Sequence, residues 1–514
     1  GGGALDAVRD VIGWNSVWDP VNHRPYTLLS RHWVAQKFGG FGVWLDDVVY
    51  HGLMANLFDG RFAADNIDAV LAGATQWGNL PCLLTGNDAW VDRSQPPIAC
   101  FVVRMLHLRN GDRGLLERAY PILLANHDWW WRARDGNRNG LLEYGTSPVG
   151  RGLYRGTKLA AKDESMMDNS PVHDETVLVE STHTLDCEDV ALNSLVALDG
   201  EMLAAIAAEL GDGAAATRLA ARAEALKARI RTELWDEERG VFANRLWSGR
   251  FVRSLAPTSF FPLLAGAADA RQTARLIEDH LLNEREFWGE FVLPAVSRDD
   301  PAFADNVYWR GRVWPPLNTL VYYGLRRAGR DDVAAMLAQR SHGIFRKGWE
   351  RDRHCGENFS AVTGEILDQP DTDPFYAWGA LMAYLAVADV LDVDPWNGWT
   401  VRHDGTDVTR APRRGPGGMV TVVARAGRLR LERDGLTLFV TERTGRFARI
   451  GAAPGRLALF APPGRRGDTL IVPGAPAGAT ARVGERAVVP APGTDGLAIE
   501  LPSGGGPVTV TWAT

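Results

Sequence analysis

Apolar side chains recur at helical spacing over most of residues 1–395, a pattern that predicts amphipathic helices. One helix is predicted over 186–210, and after Gly211-Asp212-Gly213 the pattern resumes over 214–234, which makes a helical hairpin. Similar pairs are predicted over 97–109 with 113–132 and 313–328 with 331–345, and further helices over 45–58, 64–76, 258–281 and 372–393. About a dozen helices in successive pairs predict a toroid of inner and outer helices.

The pattern changes near Pro395, where helical spacing gives way to short alternating stretches. Alternation over 420–424, 429–432 and 436–442 predicts strands, and Asp434-Gly435 is a hairpin turn signal between two of them. We therefore expect a helical domain of residues 1–395, followed by an antiparallel, sandwich-like β domain of residues 396–514. Structural packing is the expected role of this accessory domain, and carbohydrate binding is the alternative.

Charge and cysteine usage argue against several classes of protein. A net charge of −7 and a pI near 5.9 disfavour binding to nucleic acid or to an anionic membrane surface. The four cysteines show no metal-ligand spacing, so buried thiols are expected. No apolar run is expected to span a membrane. The lack of a visible signal peptide slightly favours the cytoplasm, although the chain begins Gly-Gly-Gly without Met and its true start is open.

Tryptophan usage points to a carbohydrate-binding cleft. The chain contains 19 tryptophans, and many of them stand next to polar residues rather than in apolar stripes. Aromatic faces present a rigid apolar surface beside polar groups, and such faces stack on the C–H faces of sugars. A small saccharide or glycoside is therefore the expected partner, while the oligomeric state stays open.

Two acidic stretches, 163–171 and 357–365, stand in predicted loops with apolar or aromatic neighbours. Hydrolysis of a glycosidic bond needs two carboxyl groups, one to protonate the leaving oxygen and one to attack carbon or to activate water. The candidates are Asp163, Glu164 and Asp168 in the first stretch and Glu357 and Glu365 in the second. Most of the 63 acids in the chain must be solvated surface residues, so each candidate alone has that simpler explanation.

The neighbours of Asp168 distinguish it from a surface acid. Met166 and Met167 precede it, and an Asn-Ser-Pro turn follows. An apolar environment disfavours the ionised carboxyl, so the pKa of Asp168 is expected to rise. A raised pKa is what a general acid requires at neutral pH.

Six motifs occur in a fixed order along the chain: 14–19 with Ser30, Arg31 and Trp33; 44–47 with Tyr50 and His51; 93–97; 164–171; 308–311 with Trp314 and Asn318; and 357–365. Together they resemble the trehalase-like (α/α)6 glycoside hydrolases. These are glycoside hydrolase family 63 and its bacterial mannosylglycerate and glucosylglycerate hydrolase relatives. The resemblance implies an (α/α)6 barrel and an inverting, exo-acting hydrolase of a small α-glucoside or α-mannoside.

The resemblance also implies residue roles. Asp168 would be the general acid and Glu357 the general base, with Glu365 in the same loop as a competing base. The implied substrate-binding set is Trp44, Asp47, Gln95, Tyr308, Trp309, Arg310, Trp314 and Glu365. Asp47 would bind sugar hydroxyls in the subsite that holds the cleaved sugar. Trp44 and Trp314 have core packing as an alternative, and Arg310 a structural ion pair.

Departures from the family pattern bear on the substrate. Met166 stands where the family has Gly, 359–361 replace the usual residues of the base motif, and Ile366 replaces a second Gly. A carbohydrate-binding or scaffold protein that has lost catalysis on the same barrel is therefore the alternative function. The retained Asp168 and Glu357 argue against it. A lyase or epimerase is disfavoured because the conspicuous cleft motifs are acidic.

The segment 135–140 resembles the start of a calcium loop through Asp135, Asn137, Asn139 and Gly140. A calcium loop would carry Glu six residues after that Gly, but Thr146 stands there and Glu143 is nearer. A hydrogen-bonded turn without a cofactor is the favoured interpretation, and calcium is the alternative.

Overall fold

The computed structural model of the protein describes residues 3–32, 41–493 and 495–513. The chain divides into a helix-rich unit, Gly3–His107 with Asp112–Ala386, and a β unit that contains Leu108–Gly111 and the chain from Val387 onward. The prediction of a helix-rich part followed by an antiparallel β region is confirmed. The sequence placed the boundary at 395/396, whereas the first strand of the β unit begins at Leu391.

The longer helices follow the predicted order, except that Gly3–Asn15 was not predicted as a helix. They are Gly3–Asn15, Leu45–Ala55, Gly60–Leu71, Ala99–Asn110, Arg113–Ala133, Val190–Leu210, Gly213–Glu233, Pro315–Arg327, Asp331–Asp352 and Leu381–Val390. Local signals set their ends. The Asp189 carboxylate accepts the Leu192 N–H at the start of Val190–Leu210, Gly211 ends that helix with a φ of 95°, and Asp212 caps the next helix.

Val190–Leu210 is, among the described residues, a helix long and apolar enough to cross a membrane. The sequence expectation that no run is of that kind is therefore too strict. Its apolar window has a mean hydropathy of 1.5, but 89% of the window is buried inside the protein. The helix packs against Arg113–Ala133, Gly213–Glu233 and Phe261–Ala265, so its position in the core explains its composition.

The helix predicted over 258–281 is wrong, because this segment is broken. It consists of a 3-10 turn at Pro257–Phe260, the short helices Phe261–Ala265 and Ala270–Arg275, and a wider helical turn at Leu276–Leu281. Gly266 adopts a φ of 69°, which ends the first helix. Asp269 then forms a capping box with Gln272 that starts the next one.

Two seven-stranded antiparallel sheets form the β unit. The strands of the first are, in spatial order, Leu391–Asp394, Gly398–His403, Gly445–Ala453, Arg456–Ala461, Gly506–Thr511, Thr480–Val483 and Arg486–Val488. Those of the second are Val408–Gly415, Gly418–Arg425, Arg428–Arg433, Leu436–Thr441, Thr469–Val472, Gly496–Glu500 and Ala491–Gly493. Alternate residues of both sheets, such as Val420 and Leu457, share one apolar core, as in a β-sandwich.

Candidate active site

A cavity of about 560 Å³ in the helix-rich unit collects most of the residues singled out in the sequence. Of the ten residues given catalytic or substrate-binding roles, seven line it: Trp44, Asp47, Gln95, Asp168, Tyr308, Trp309 and Glu357. Arg310, Trp314 and Glu365 are not part of its lining. Trp33 falls in 33–40, outside the described residues. Five separate stretches of the chain therefore meet around one space.

Glu164 anchors the loop that carries Asp168 through hydrogen bonds to other segments of the chain. This carboxylate is fully buried and accepts hydrogen bonds from the backbone N–H of Ser94 at 2.8 Å and of Gly145 at 2.8 Å. The Arg134 guanidinium also donates to it, from Nε at 2.6 Å and Nη2 at 2.8 Å. Glu164 thus ties three segments together four residues before Asp168.

The loop is tied to a second wall of the cavity by Asn169. Its side-chain oxygen accepts the Trp309 N–H at 2.8 Å. Within the loop, Met166 adopts a φ of 72°, a left-handed conformation that disfavours any residue with a Cβ. The Met166 side chain is buried and lines the cavity.

Burial raises the pKa of Asp168 above the usual aspartate value. Asp163 also lines the cavity, and its pKa is raised by burial and then by the charge of Asp168. Arg93 opposes that rise, since its Nη2 lies 3.3 Å from Asp163 Oδ2. A proton is therefore retained in this pair of carboxyls at a pH where exposed aspartates are ionised, which is the state a general acid needs.

The environment of Glu357 differs from that of Asp168, because hydrogen-bond donors face its carboxylate oxygens. Its Oε2 accepts the Asp373 backbone N–H at 3.2 Å, and the Tyr308 hydroxyl donates to its Oε1 at 3.4 Å. Its backbone is fixed as well, because its carbonyl accepts the Trp378 indole N–H at 2.9 Å. Both carboxylate oxygens therefore face hydrogen-bond donors, as a carboxylate that must bind and orient a water requires.

Asp47 projects into the cavity from the first turn of Leu45–Ala55. Burial raises its pKa to about 7, although the Tyr376 hydroxyl opposes this by donating a 2.8 Å hydrogen bond to Oδ1. The helix start is fixed by Gln95, whose side-chain oxygen accepts the Asp46 N–H at 2.9 Å. Asp47 is thus a polar group on a rigid element, suited to binding a hydroxyl.

Aromatic rings form much of the remaining wall. Trp44 and Trp90 meet edge to face, with ring centroids 5.1 Å apart. Trp309 lies at the cavity surface and stacks on Trp314, with centroids 3.6 Å apart and planes 8° apart. Trp314 is fully buried and donates its indole N–H to the Tyr308 carbonyl at 2.9 Å. It therefore supports the wall from behind and does not reach the cavity.

Arg310 and Glu365 are held by other partners. Arg310 donates from Nη1 to Asp174 at 2.8 Å and from Nε to Asp305 at 2.6 Å, which is the structural ion pair that the sequence left as an alternative. Glu365 pairs with Arg351 at 2.8 Å and Lys347 at 3.0 Å near the surface. Glu365 is thus outside the cavity that Glu357 lines.

A comparison with known proteins places this arrangement in a family. The family model of the mannosylglycerate hydrolase MGH1-like glycoside hydrolase domain matches residues 41–379, well over half of the 514 residues. The chain belongs to this glycoside hydrolase family. The resemblance to family 63 and trehalase-like hydrolases is confirmed, and so is the prediction that the protein is a glycoside hydrolase.

Individual relatives of this family 63 hydrolase are distant. A mannosylglycerate hydrolase of Thermus thermophilus is 28% identical over 348 residues, which cover 56% of this chain and 76% of that protein. The crystal structure of a family 63 mannosylglycerate hydrolase from another strain of Thermus thermophilus, in complex with glucose, has a TM-score of 0.59 at 21% identity, over 75% of this chain and 99% of that one. Neutral trehalase Nth1 of Saccharomyces cerevisiae has a TM-score of 0.55 at 17% identity, and the match covers 74% of this chain and 80% of the trehalase chain. Both structural likenesses concern the fold.

Sequence reasoning missed one wall of the hydrolase cavity. The segment 371–378 contributes Asp371, Thr372, Asp373, Tyr376 and Trp378 to the lining. A usable signal was present, because this segment combines acids, a Pro and aromatics in a short stretch, as the recognised motifs do. Trp90 and Trp378 are among the tryptophans that stand next to polar residues in the sequence, but neither was assigned to the site.

The segment 135–140 forms a hydrogen-bonded loop away from the cavity. The Asp135 carboxylate accepts the Gly140 N–H at 3.1 Å, and the Asn137 and Asn139 side chains donate to Glu188 Oε1 at 3.2 and 2.6 Å. Within the described part of the chain, no cluster of three or more His, Cys, Asp or Glu side chains suited to a metal is found. The calcium alternative stays an untested prediction.

Proposed function

We propose that this family 63 hydrolase is an inverting, exo-acting enzyme that cleaves a small α-glucoside or α-mannoside on an (α/α)6 barrel. The observation that supports the proposal most directly is the meeting of Asp168 and Glu357 at one cavity in different environments. Asp168 is half-buried and its pKa is raised by desolvation, whereas the Glu357 oxygens face hydrogen-bond donors. Acid and base catalysis at one site requires two carboxyls, one held protonated and one held ionised by its surroundings.

In the proposed reaction, Asp168 protonates the oxygen of the leaving group as its bond to the anomeric carbon breaks. Glu357 takes a proton from a water that attacks this carbon from the opposite face. The product sugar therefore has the inverted anomeric configuration. An inverting enzyme holds its two carboxyls roughly 6.5–9.5 Å apart so that the water fits between them.

The rest of the cavity supports recognition of one sugar unit. Asp47 and Gln95 offer hydrogen-bond partners for hydroxyls, and Trp44 and Trp309 offer apolar faces. A volume of about 560 Å³ lies within the usual range of small-molecule sites. A relative's name, mannosylglycerate hydrolase, agrees in size class with a substrate of one sugar and a small leaving group.

The test separates the two roles by the quality of the leaving group. Fluoride leaves without protonation, so Asp168→Asn should retain hydrolysis of α-glucosyl fluoride or α-mannosyl fluoride while losing hydrolysis of alkyl glycosides. Glu357→Gln should lose both, and Glu365→Gln should retain both. NMR of the first product should show the β anomer from an α-glycoside. Wild-type turnover of alkyl glycosides by Asp168→Asn, or an α product, would contradict the proposal.

A further inference from the structure

The lining of the cavity carries an uneven distribution of charge. Six carboxyl side chains face it: Asp47, Asp163, Asp168, Glu357, Asp371 and Asp373. No Lys or Arg of the described ranges 3–32, 41–493 and 495–513 contributes to the lining. The single basic side chain from these ranges is His32, whose Nδ1 lies 3.7 Å from Asp373 Oδ2. Among the described residues, the charged or basic groups that a bound anion would meet are therefore carboxyls and one imidazole that already faces an acid.

Two arginines that lie close to the cavity, Arg93 and Arg310, are directed at other groups. Arg93 donates to Asp92 at 2.9 Å and to Asp163 at 3.3 Å, and it is fully buried behind the lining. Arg310 is divided between Asp174 and Asp305. Recognition of a carboxylate usually depends on an Arg or Lys, or on a set of backbone N–H groups, pointed at the ligand. These arginines are instead used to hold the protein's own acids.

The stretch that carries the proposed acid contributes apolar contacts to the same cavity. Tyr154, Leu159 and Met166 all line it and all precede Asp168 by at most 14 residues. Since the acid protonates the leaving group, the leaving group must lie beside Asp168. Met166 keeps a φ of 72° and still places its side chain at the cavity. The side of the cavity beside Asp168 thus presents these three largely apolar side chains together with Asp163 and Asn169.

We infer that the leaving group of the natural substrate is uncharged, a neutral polyol or a second neutral sugar, and is not a carboxylate such as glycerate. The inference rests on the proposed hydrolysis by Asp168 and Glu357. It separates this protein in specificity from relatives named mannosylglycerate hydrolase. A negative charge on the leaving group, about 8 Å from one ionised carboxylate of the cavity and at an effective dielectric constant near 20, is repelled. This repulsion lowers the affinity for the substrate by roughly 30-fold.

Matched substrates isolate the charge of the leaving group. Glucosylglycerol and glucosylglycerate differ in one hydroxymethyl against one carboxylate, and mannosylglycerol and mannosylglycerate form a second pair. We expect kcat/KM for the neutral member of the accepted pair to be at least tenfold higher. An equal or higher kcat/KM for the anionic member would overturn the inference.

Three variants test the origin of the preference. Asp371→Asn removes an exposed charge at the cavity and should shift the ratio of kcat/KM values towards the anionic member, whereas Asp371→Glu should leave the ratio unchanged. Arg151 and Arg155 are exposed on the loop around Tyr154 and are the alternative anion ligands. If replacing both by Ala lowers kcat/KM for the anionic member alone, a carboxylate is being recognised and the inference is overturned.

Binding distinguishes this inference from the catalytic proposal. The four glycosides are titrated calorimetrically into the wild type and into Asp168→Asn. If neither member of a pair is hydrolysed by the wild type but the neutral member binds at least tenfold more tightly, the catalytic proposal fails, whereas the preference of the cavity for an uncharged group beside the sugar is upheld. If none of the four glycosides binds, or if the anionic member binds as tightly as the neutral one, the inference is overturned.

Discussion

Replacing Glu164 by Gln should lower the free energy of unfolding by about 3–5 kcal/mol, the usual loss when one partner of a buried ion pair is removed. The carboxylate and the Arg134 guanidinium are both buried, at 0% and 1% side-chain exposure. Each Glu164 oxygen accepts one backbone N–H and one guanidinium N–H. Whichever oxygen becomes the amide NH2, one backbone donor and one charged donor lose their acceptor.

The magnitude follows from these two losses. A buried donor left without a partner costs about 1–3 kcal/mol, and a hydrogen bond to a charged group contributes about 1.5–3 kcal/mol. Their sum agrees with the value expected for an unpaired buried arginine. Because Gln has nearly the same volume as Glu, no cavity contributes to the loss, and the change isolates the electrostatic role of Glu164.

Urea denaturation followed by fluorescence measures the change, with the slope of the transition checked between variants. Glu365→Gln is the matched control, because Glu365 also forms ion pairs, with Arg351 and Lys347, but near the surface, where exposed pairs contribute little. A loss below about 1 kcal/mol for Glu164→Gln, or an equal shift for both variants, would refute the assignment of Glu164 as a buried anchor.

Three further predictions concern pH and the acid loop. The value of kcat/KM should fall as the pH rises through the raised pKa of Asp168, since the acid must be protonated. If Asp168→Asn acting on a glycosyl fluoride shows the same fall in kcat/KM at high pH, another group is responsible for that fall. Burial raises the pKa of Glu143 to about 8, so the folded state binds the proton of Glu143 more tightly than the unfolded state does. The free energy of unfolding should therefore fall as the pH rises from about 5 to about 8. Glu143→Gln should flatten this slope in denaturation series, and an unchanged slope would contradict it. Met166→Gly should relieve about 1 kcal/mol of backbone strain but remove a buried side chain. The free energy of unfolding should therefore fall by about 1–3 kcal/mol in the same denaturation assay, and a stabilised variant would contradict this prediction.

Local signals explain which helices the sequence could predict. The hairpin of Val190–Leu210 and Gly213–Glu233 was predicted because apolar spacing, Gly211 and Asp212 are all visible in the sequence and act on neighbouring residues. The segment 258–281 was misjudged because its apolar spacing continues past Gly266, and spacing was given more weight than the Gly and the following Asp269 cap. Where spacing and capping disagree, capping decided the structure.

The candidate site was predictable as a set of loops but not side chain by side chain. Trp309 and Trp314 belong to one motif, yet one ring lines the cavity and the other supports it from behind. A motif gives residues in order but does not give the face on which each side chain emerges. Tyr376 was missed for a different reason, since it meets Asp47 from 329 positions along the chain. Such a contact depends on how distant helices close around the cavity, which local patterns do not encode.

The segment around Tyr308 connects the two proposed catalytic carboxyls and so bears on the stereochemistry of the reaction. Asn169, next to the acid, accepts the Trp309 N–H, and the Tyr308 hydroxyl donates to the base Glu357. One short segment thus contacts both loops. The gap between the carboxyls decides whether a water fits between them or a carboxylate attacks directly. Rigid support of this segment by the stacked Trp309 and Trp314 therefore helps to set the gap, which explains why a fully buried tryptophan belongs to a catalytic motif.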